Sequence, residues 1–178
     1  MAEEQNQEPV MTPGENASAQ FQIQKLFTKD VSLELPNAPQ VFQEAGQADV
    51  KMSLAQRVQD LGDDLHEVVL TVTVTATIGE KTAYLVEVAQ AGIFLIGGFN
   101  EQSTHAVMNT MCPTILFPYA RHMISTLVAE AGFPPLVLQP VNFDALYAQR
   151  LQQQAQEQQG AAGEGNGTAG TPEFSTND

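Results

Sequence analysis

Apolar and polar residues alternate with period two in several runs between Phe21 and Ile96, which predicts strands. The clearest run is His66–Ile78. Val68, Leu70, Val72, Val74, Ala76 and Ile78 share one face, and Thr71, Thr73, Thr75 and Thr77 share the other. A short Gly79–Glu80–Lys81 turn follows, so Thr82–Ile96 should pair antiparallel with that strand. On this next strand Tyr84, Val86, Val88 and Gln90 alternate with Ala83, Leu85, Glu87 and Ala89. Earlier, Phe21, Ile23, Lys25 and Phe27 alternate with Gln22, Gln24 and Leu26. The apolar set then shifts to Val31, Leu33 and Leu35, which predicts a bulge near Thr28–Lys29. Pro36 and Pro39 end that strand because proline supplies no ladder N–H. Residues 36–48 read as a loop with an apolar knob at Val41–Phe42. Val50, Met52 and Leu54 mark another strand, and Leu61–Asp64 a turn.

After Gly97–Gly98 the period changes. Ser103 or Thr104 can cap a short helix reaching about Met111. Pro113 suits the first turn of a longer helix. In it Leu116, Ala120, Met123, Ile124, Leu127, Val128 and Ala131 recur at helical spacing over an arc of roughly 140° at ~100° per residue. Gly132 is a C-terminal stop with Pro134 and Pro135 behind it. Asn142 can cap a last helix whose apolar side is Phe143, Leu146, Tyr147 and Leu151. The prediction is an α+β fold, a four-stranded antiparallel sheet followed by helices packed on one face.

The 178 residues fit one domain. Residues 1–19 hold Glu3, Glu4, Glu8 and Glu15 with no Lys or Arg, and residues 151–178 are Gln-rich and then Gly-rich. Both read as disordered tails, too poor in apolar surface to offset ordering entropy. The folded domain is expected over residues 20–150. Net charge is −14. Even without the tails, the middle of the chain holds 13 acids against 7 bases. Such a chain repels phosphate backbones and anionic membranes. A basic protein partner is its natural complement, although acidity also serves solubility alone.

Cys112 is the one cysteine, so no intrachain disulfide can form; this suits a reducing, cytoplasmic compartment. No secretory signal or membrane span is apparent. His66, His105 and His122 lack metal-ligand spacing, Gly97–Gly98 lacks a phosphate-loop pattern, and Asp63–Asp64 needs only to make a turn. No catalytic constellation, metal or cofactor is expected.

Four blocks carry a family resemblance. They are FTKDVSLELPNAP (Phe27–Pro39), HEVVLTVTVTATIGEKTAYLVEVAQAGIF (His66–Phe94), CPTILFPYAR (Cys112–Arg121) and GFPPLVLQPVNFDALY (Gly132–Tyr147). In this order, within Phe21–Tyr147, they resemble SecB, the bacterial protein-export chaperone family. The resemblance implies an ATP-independent chaperone that holds unfolded precursor proteins and delivers them to SecA, the translocation ATPase. It implies a homotetramer built as a dimer of dimers, with helices sandwiched between sheets. Tyr84, Val86, Val88, Gln90, Leu116, Met123 and Leu127 would then serve the oligomer interface.

If the first and fourth strands are neighbours, strand parity puts Asp30, Glu34, Leu85 and Glu87 in one exposed patch. These positions match the SecB surface that receives the basic, zinc-containing C-terminal tail of SecA; the zinc belongs to the partner. Clients would lie in apolar grooves, offered here by Val41, Phe42, Val50, Met52, Leu54, Phe143 and Leu146, each of which could equally be core. Met and aromatic side chains adapt to many sequences, an open strand edge pairs with any backbone, and several weak sites add through avidity. Gly46 departs from the family, whose well-known members carry a large aromatic there, and this removes apolar area from the groove rim. Two other readings stay open: a SecB-like chaperone devoted to a toxin–antitoxin pair, and an acidic scaffold or adaptor without a client groove.

Overall fold

The computed structural model describes residues 18–163. Four strands, β1 (Gln20–Glu34), β2 (Asp49–Gly62), β3 (Leu65–Ile78) and β4 (Lys81–Gly97), form one antiparallel sheet in the order β1-β4-β3-β2. Helices α1 (Glu101–Asn109), α2 (Met111–Glu130) and α3 (Phe143–Gly163) follow. The α+β architecture and the antiparallel β3–β4 pair are as the period-two pattern predicted.

The two tight turns have a local cause. Asp63 and Asp64 both take positive φ, 51° and 59°, in the two-residue turn joining β2 to β3. Two successive positive-φ residues suit the twist of a two-residue hairpin, and Asp tolerates that region better than most side chains. Strand β2 therefore runs on to Gly62, past the Leu61 at which the sequence placed the turn. Between β3 and β4, Gly79 at φ +60° supplies the left-handed residue.

Strand β1 carries two register shifts. The one between Thr28 and Asp30 is the expected bulge at Lys29. Gln90 of β4 serves it: its side-chain amide donates to the Phe27 carbonyl at 3.0 Å and its oxygen accepts from the Thr28 hydroxyl at 3.0 Å. The other, between Ile23 and Lys25, was not expected. One extra residue inverts all alternation beyond it. Consequently Leu26, opposite Gly92, joins Phe21 and Ile23 on the covered face, and Phe27, opposite Ala91, turns to the other. The predicted partition of residues 21–27 is corrected accordingly.

Helix α2 lies across β3 and β4 and closes the core. Cys112, Leu116, Ala120, Ile124 and Val128 on it, and Val72, Val74, Val86, Val88 and Phe94 beneath it, are all 0 % exposed. At its end Gly132 takes φ +88°. The Gly132 N–H reaches the Ala129 carbonyl, and the Phe133 N–H reaches that of Val128. This pair of bonds satisfies carbonyls that the helix leaves over. Two capping expectations fare differently. Asn142 does cap α3, its side-chain oxygen accepting from the Ala145 N–H at 3.0 Å. The cap of α1 is Asn100 rather than Ser103 or Thr104. The Asn100 side chain accepts from Ser103 N–H at 2.8 Å, so Ser103 already lies inside the first turn. Helix α3 continues past Arg150 to Gly163, since Gln, Ala and Leu are adequate helix formers and no proline intervenes. Residues 1–17 and 164–178 of the expected tails lie outside the described residues.

Candidate functional site

The sheet presents a covered face toward α2 and an open face opposite. Register assigns every residue of the open face to a row, because directly paired residues share a face. Taken in the order β1, β4, β3, β2, one row is Glu34, Leu85, Thr75 and Lys51. The next is Ser32, Glu87, Thr73 and Ser53, and the third is Asp30, Ala89, Thr71 and Ala55. The conditional patch of the sequence reading thus has its condition met. β1 and β4 are neighbours, Glu34 pairs directly with Leu85, and Glu87 sits between the Glu34 and Asp30 rows. Asp30 and Glu34 are exposed; Leu85 and Glu87 are half-buried. The Glu87 carboxylate accepts from the Thr73 hydroxyl at 2.6 Å, which orients it on the sheet.

Beside the patch, Lys29 uses its bulge position to reach over β4. Its ammonium donates to both carboxylate oxygens of Glu67 on β3, at 2.8 and 2.7 Å. A concavity of about 380 Å³ opens here, lined by Lys29, Asp30, Ala55, Arg57, Thr71 and Glu87 among others. Its floor is low because the third row ends in Ala89, Thr71 and Ala55. None of Lys29, Glu67, Arg57 and Lys51 was among the site residues expected from the sequence. The β2 alternation sets Lys51, Ser53 and Ala55 opposite Val50, Met52 and Leu54, and continuing it by two residues puts Arg57 on the open face as well. The Lys29–Glu67 pair had no sequence signal, as it crosses an intervening strand.

The seven groove candidates separate. Val41 and Phe143 are 1 % and 6 % exposed and belong to the core, so they cannot line an open groove. Val41 is drawn inward by the short helical turn Gln40–Gln43, while its neighbour Phe42 is left half-exposed. Phe42 packs on Phe133 with ring centroids 5.1 Å apart, and Phe133 in turn on Tyr84 at 5.1 Å. Val50 and Met52 lie on the covered face at edge strand β2, beyond the reach of α2, and are 37 % and 40 % exposed. Leu54 and Leu146 are half-buried and meet in a narrow cleft backed by Phe143. Of the candidates, Phe42, Val50 and Met52 therefore stay accessible and Leu54 and Leu146 partly so, as does Phe133, which had not been named. Gly46 sits at φ +144°, with Ile78 beside the position a side chain would take.

The interface candidates are corrected in part. Val86, Val88 and Leu116 are 0 % exposed, and Tyr84 and Gln90 are 4 % and 3 % exposed, within one chain. They support α2 and the Lys29 bulge and have no surface left to give a partner. Met123 and Leu127 are half-buried on the outer side of α2, next to exposed Tyr119. These can still meet a second copy.

Burial pushes the Cys112 thiol up to about 12 and raises the Tyr84 phenol. A thiol so disfavoured as thiolate is a poor nucleophile. His122 is exposed, and His66 is half-buried at the start of β3. His105 Nδ1 lies 2.9 Å from the Tyr147 hydroxyl, joining α1 to α3. Among the described residues, no three His, Cys, Asp or Glu side chains group as metal ligands, and no helix is long and apolar enough to cross a membrane.

Comparison with known proteins agrees with this architecture. Residues 14–154 match the family model described as SecB, preprotein translocase subunit SecB. The protein-export protein SecB of Methylococcus capsulatus is 50% identical, covering 89% of this chain and 97% of that protein. Its counterpart in Alkalilimnicola ehrlichii is 48% identical, covering 94% and 90%, and that in Nitrosococcus oceani 46% identical, covering 91% and 98%. Among solved structures, a SecB-like chaperone of Mycobacterium tuberculosis, solved with an antitoxin peptide, superposes with a TM-score of 0.58 at 16% identity. That match covers 68% of this chain and 91% of the other and speaks to the fold alone.

Proposed function

This chain belongs to the SecB family, and from that premise we propose that it is a cytoplasmic chaperone of protein export. It holds unfolded precursors without ATP and passes them to the SecA translocation ATPase. There is no bond to make or break; the protein binds and releases. A precursor that folds slowly is captured by apolar surface before it can bury its own, while a fast folder escapes. Phe42, Val50, Met52 and Phe133 supply the adaptable apolar surface, and the open edge of β2 beside Val50 and Met52 supplies backbone groups that pair with any sequence. Assembly into a tetramer through the outer side of α2, with Met123, Leu127 and Tyr119, multiplies such sites on one particle.

The observation that carries the SecA step is the β1–β4 register, which sets Asp30, Glu34 and Glu87 around Leu85 on an open sheet face. A basic tail would be drawn there by charge and seated on the leucine. Because such attraction mainly raises the encounter rate, binding should weaken with salt. The relatives at about half identity are export proteins, which favours general export over service to one toxin–antitoxin pair.

The test follows refolding of a denatured, slowly folding precursor with and without a stoichiometric amount of the protein, and then adds SecA. Refolding should stall, and SecA should engage the held complex. The Glu87→Lys variant should still stall refolding yet bind SecA about tenfold or more weakly at low salt, with its oligomeric state unchanged. Unaltered SecA affinity in that variant sinks the docking face, and refolding at the normal rate sinks the chaperone reading.

A further inference from the structure

Between the row that joins Glu34 to Lys51 and the row that joins Phe27 to Arg57, the open face is acidic on only one side; Asp49 on β2 and Lys25 on β1 flank that stretch at its two ends. Asp30 and Glu34 stand on β1 and Glu87 on β4, whereas Lys51 and Arg57 stand on β2 with the same parity, at the far edge of the sheet. Lys29 and Glu67 lie between and neutralise each other through two short bonds. Neither of the two ion pairs among the described residues involves Lys51 or Arg57. Both cations are exposed. What remains is an anionic edge, a shallow floor of Ala89, Thr71 and Ala55, and a cationic edge.

We propose, building on the docking face above, that this face binds an extended peptide of both signs. Its basic side chain meets Asp30, Glu34 and Glu87, and an acidic side chain of the same segment meets Lys51 and Arg57. The spacing follows from the sheet. From β1 to β2 there are three strand gaps, about 14 Å in all at ~4.8 Å each. A chain laid across the strands spans that in about four residues at ~3.3 Å each, and residues four apart in an extended chain point to the same side. The occupant thus carries its acidic residue four positions from its basic one. A purely basic segment would leave the β2 cations facing like charge, which costs affinity.

Two peptides of identical composition and net charge test this on the full-length protein at low salt. One holds Lys and Glu four positions apart, and the other three apart, which puts them on opposite sides of an extended chain. The four-apart peptide should bind tighter, by about threefold for each cation engaged, given the modest worth of exposed ion pairs. A Lys51→Ala/Arg57→Ala double variant, checked for unchanged circular dichroism, should erase the preference while keeping its response to Glu87→Lys. Equal affinity of the two peptides for the unaltered protein overturns the two-sign proposal. If Glu87→Lys then weakens both peptides alike, the acidic docking face itself stands; if it weakens neither, or neither peptide binds, that face falls as well.

Discussion

The two faces of the sheet are built from the same strands with the same alternation, yet they have opposite fates. On the covered face, Val72, Val74, Val86 and Val88 are sealed under α2 and 0 % exposed. On the open face, one residue away along each strand, Thr71, Thr73, Thr75, Leu85 and Glu87 keep part of their surface. The covered face draws its stability from close packing, where each lost methylene is felt. The open face is a charge pattern on a rigid support, and changes there should alter partners rather than the fold. A rigid sheet thus lets surface chemistry vary at little risk to the core.

That division can be broken by mutation. Leu116→Ala empties volume beneath α2 and should cost about 2–5 kcal/mol in urea denaturation. A loss near that of a surface change would mean α2 is not seated as described. Gly92→Ala tests the same face from the sheet side. A β-carbon there would stand 2.6 Å from the Phe94 ring and 2.9 Å from Leu26. Phe94 is 0 % exposed and stacks on Phe21 at 5.8 Å, so it has little room to yield. Overpacking of this kind costs about 1–3 kcal/mol.

Cys112 reports on coverage through pH. Its thiol is raised from 9.0 to about 12 by burial. Above pH 9 the unfolded chain therefore releases this proton before the folded chain does. Its contribution to stability is complete below pH 9 and is lost as pH rises toward 12. Thiol-reagent labelling of the native protein near pH 8 should be slow and should accelerate in Leu116→Ala; fast labelling of the unaltered protein would contradict the covered position. The smallest effect belongs to the open face. Thr73→Val removes the 2.6 Å bond to Glu87 and should shift stability by no more than about 1 kcal/mol. Binding of a basic peptide should change more than the melting temperature does, and the reverse would mark Glu87 as structural.

Period two made β3 and β4 legible because their alternation runs unbroken over Leu65–Ala76 and Tyr84–Leu95; only beside the turn does the register shift, at Ala83. It made β1 legible in part. The Lys29 bulge was expected and the Gln24 bulge was not: each inverts the alternation once, so the two cancel and Phe21 and Ile23 share odd positions with Val31 and Leu33. The four acidic-patch residues were named correctly as neighbours because that follows from strand parity and one adjacency. The groove residues were harder. Val41 and Phe42 are consecutive and equally apolar, and their opposite burial depends on how one short helical turn docks.

What the chain determined locally, then, was its elements, their turns and caps, and the alternation that separates an apolar face from a threonine-rich one, since these rest on interactions a few residues apart. Folding in three dimensions settled the rest. Strand order brought Glu87 beside Asp30, set Lys51 and Arg57 at the opposite edge, and let Lys29 reach Glu67 over β4. Packing of α2 enclosed Val86, Val88 and Leu116 while leaving Met123 and Leu127 partly free. Those outcomes join residues far apart in sequence, and no local periodicity encodes which distant surfaces meet.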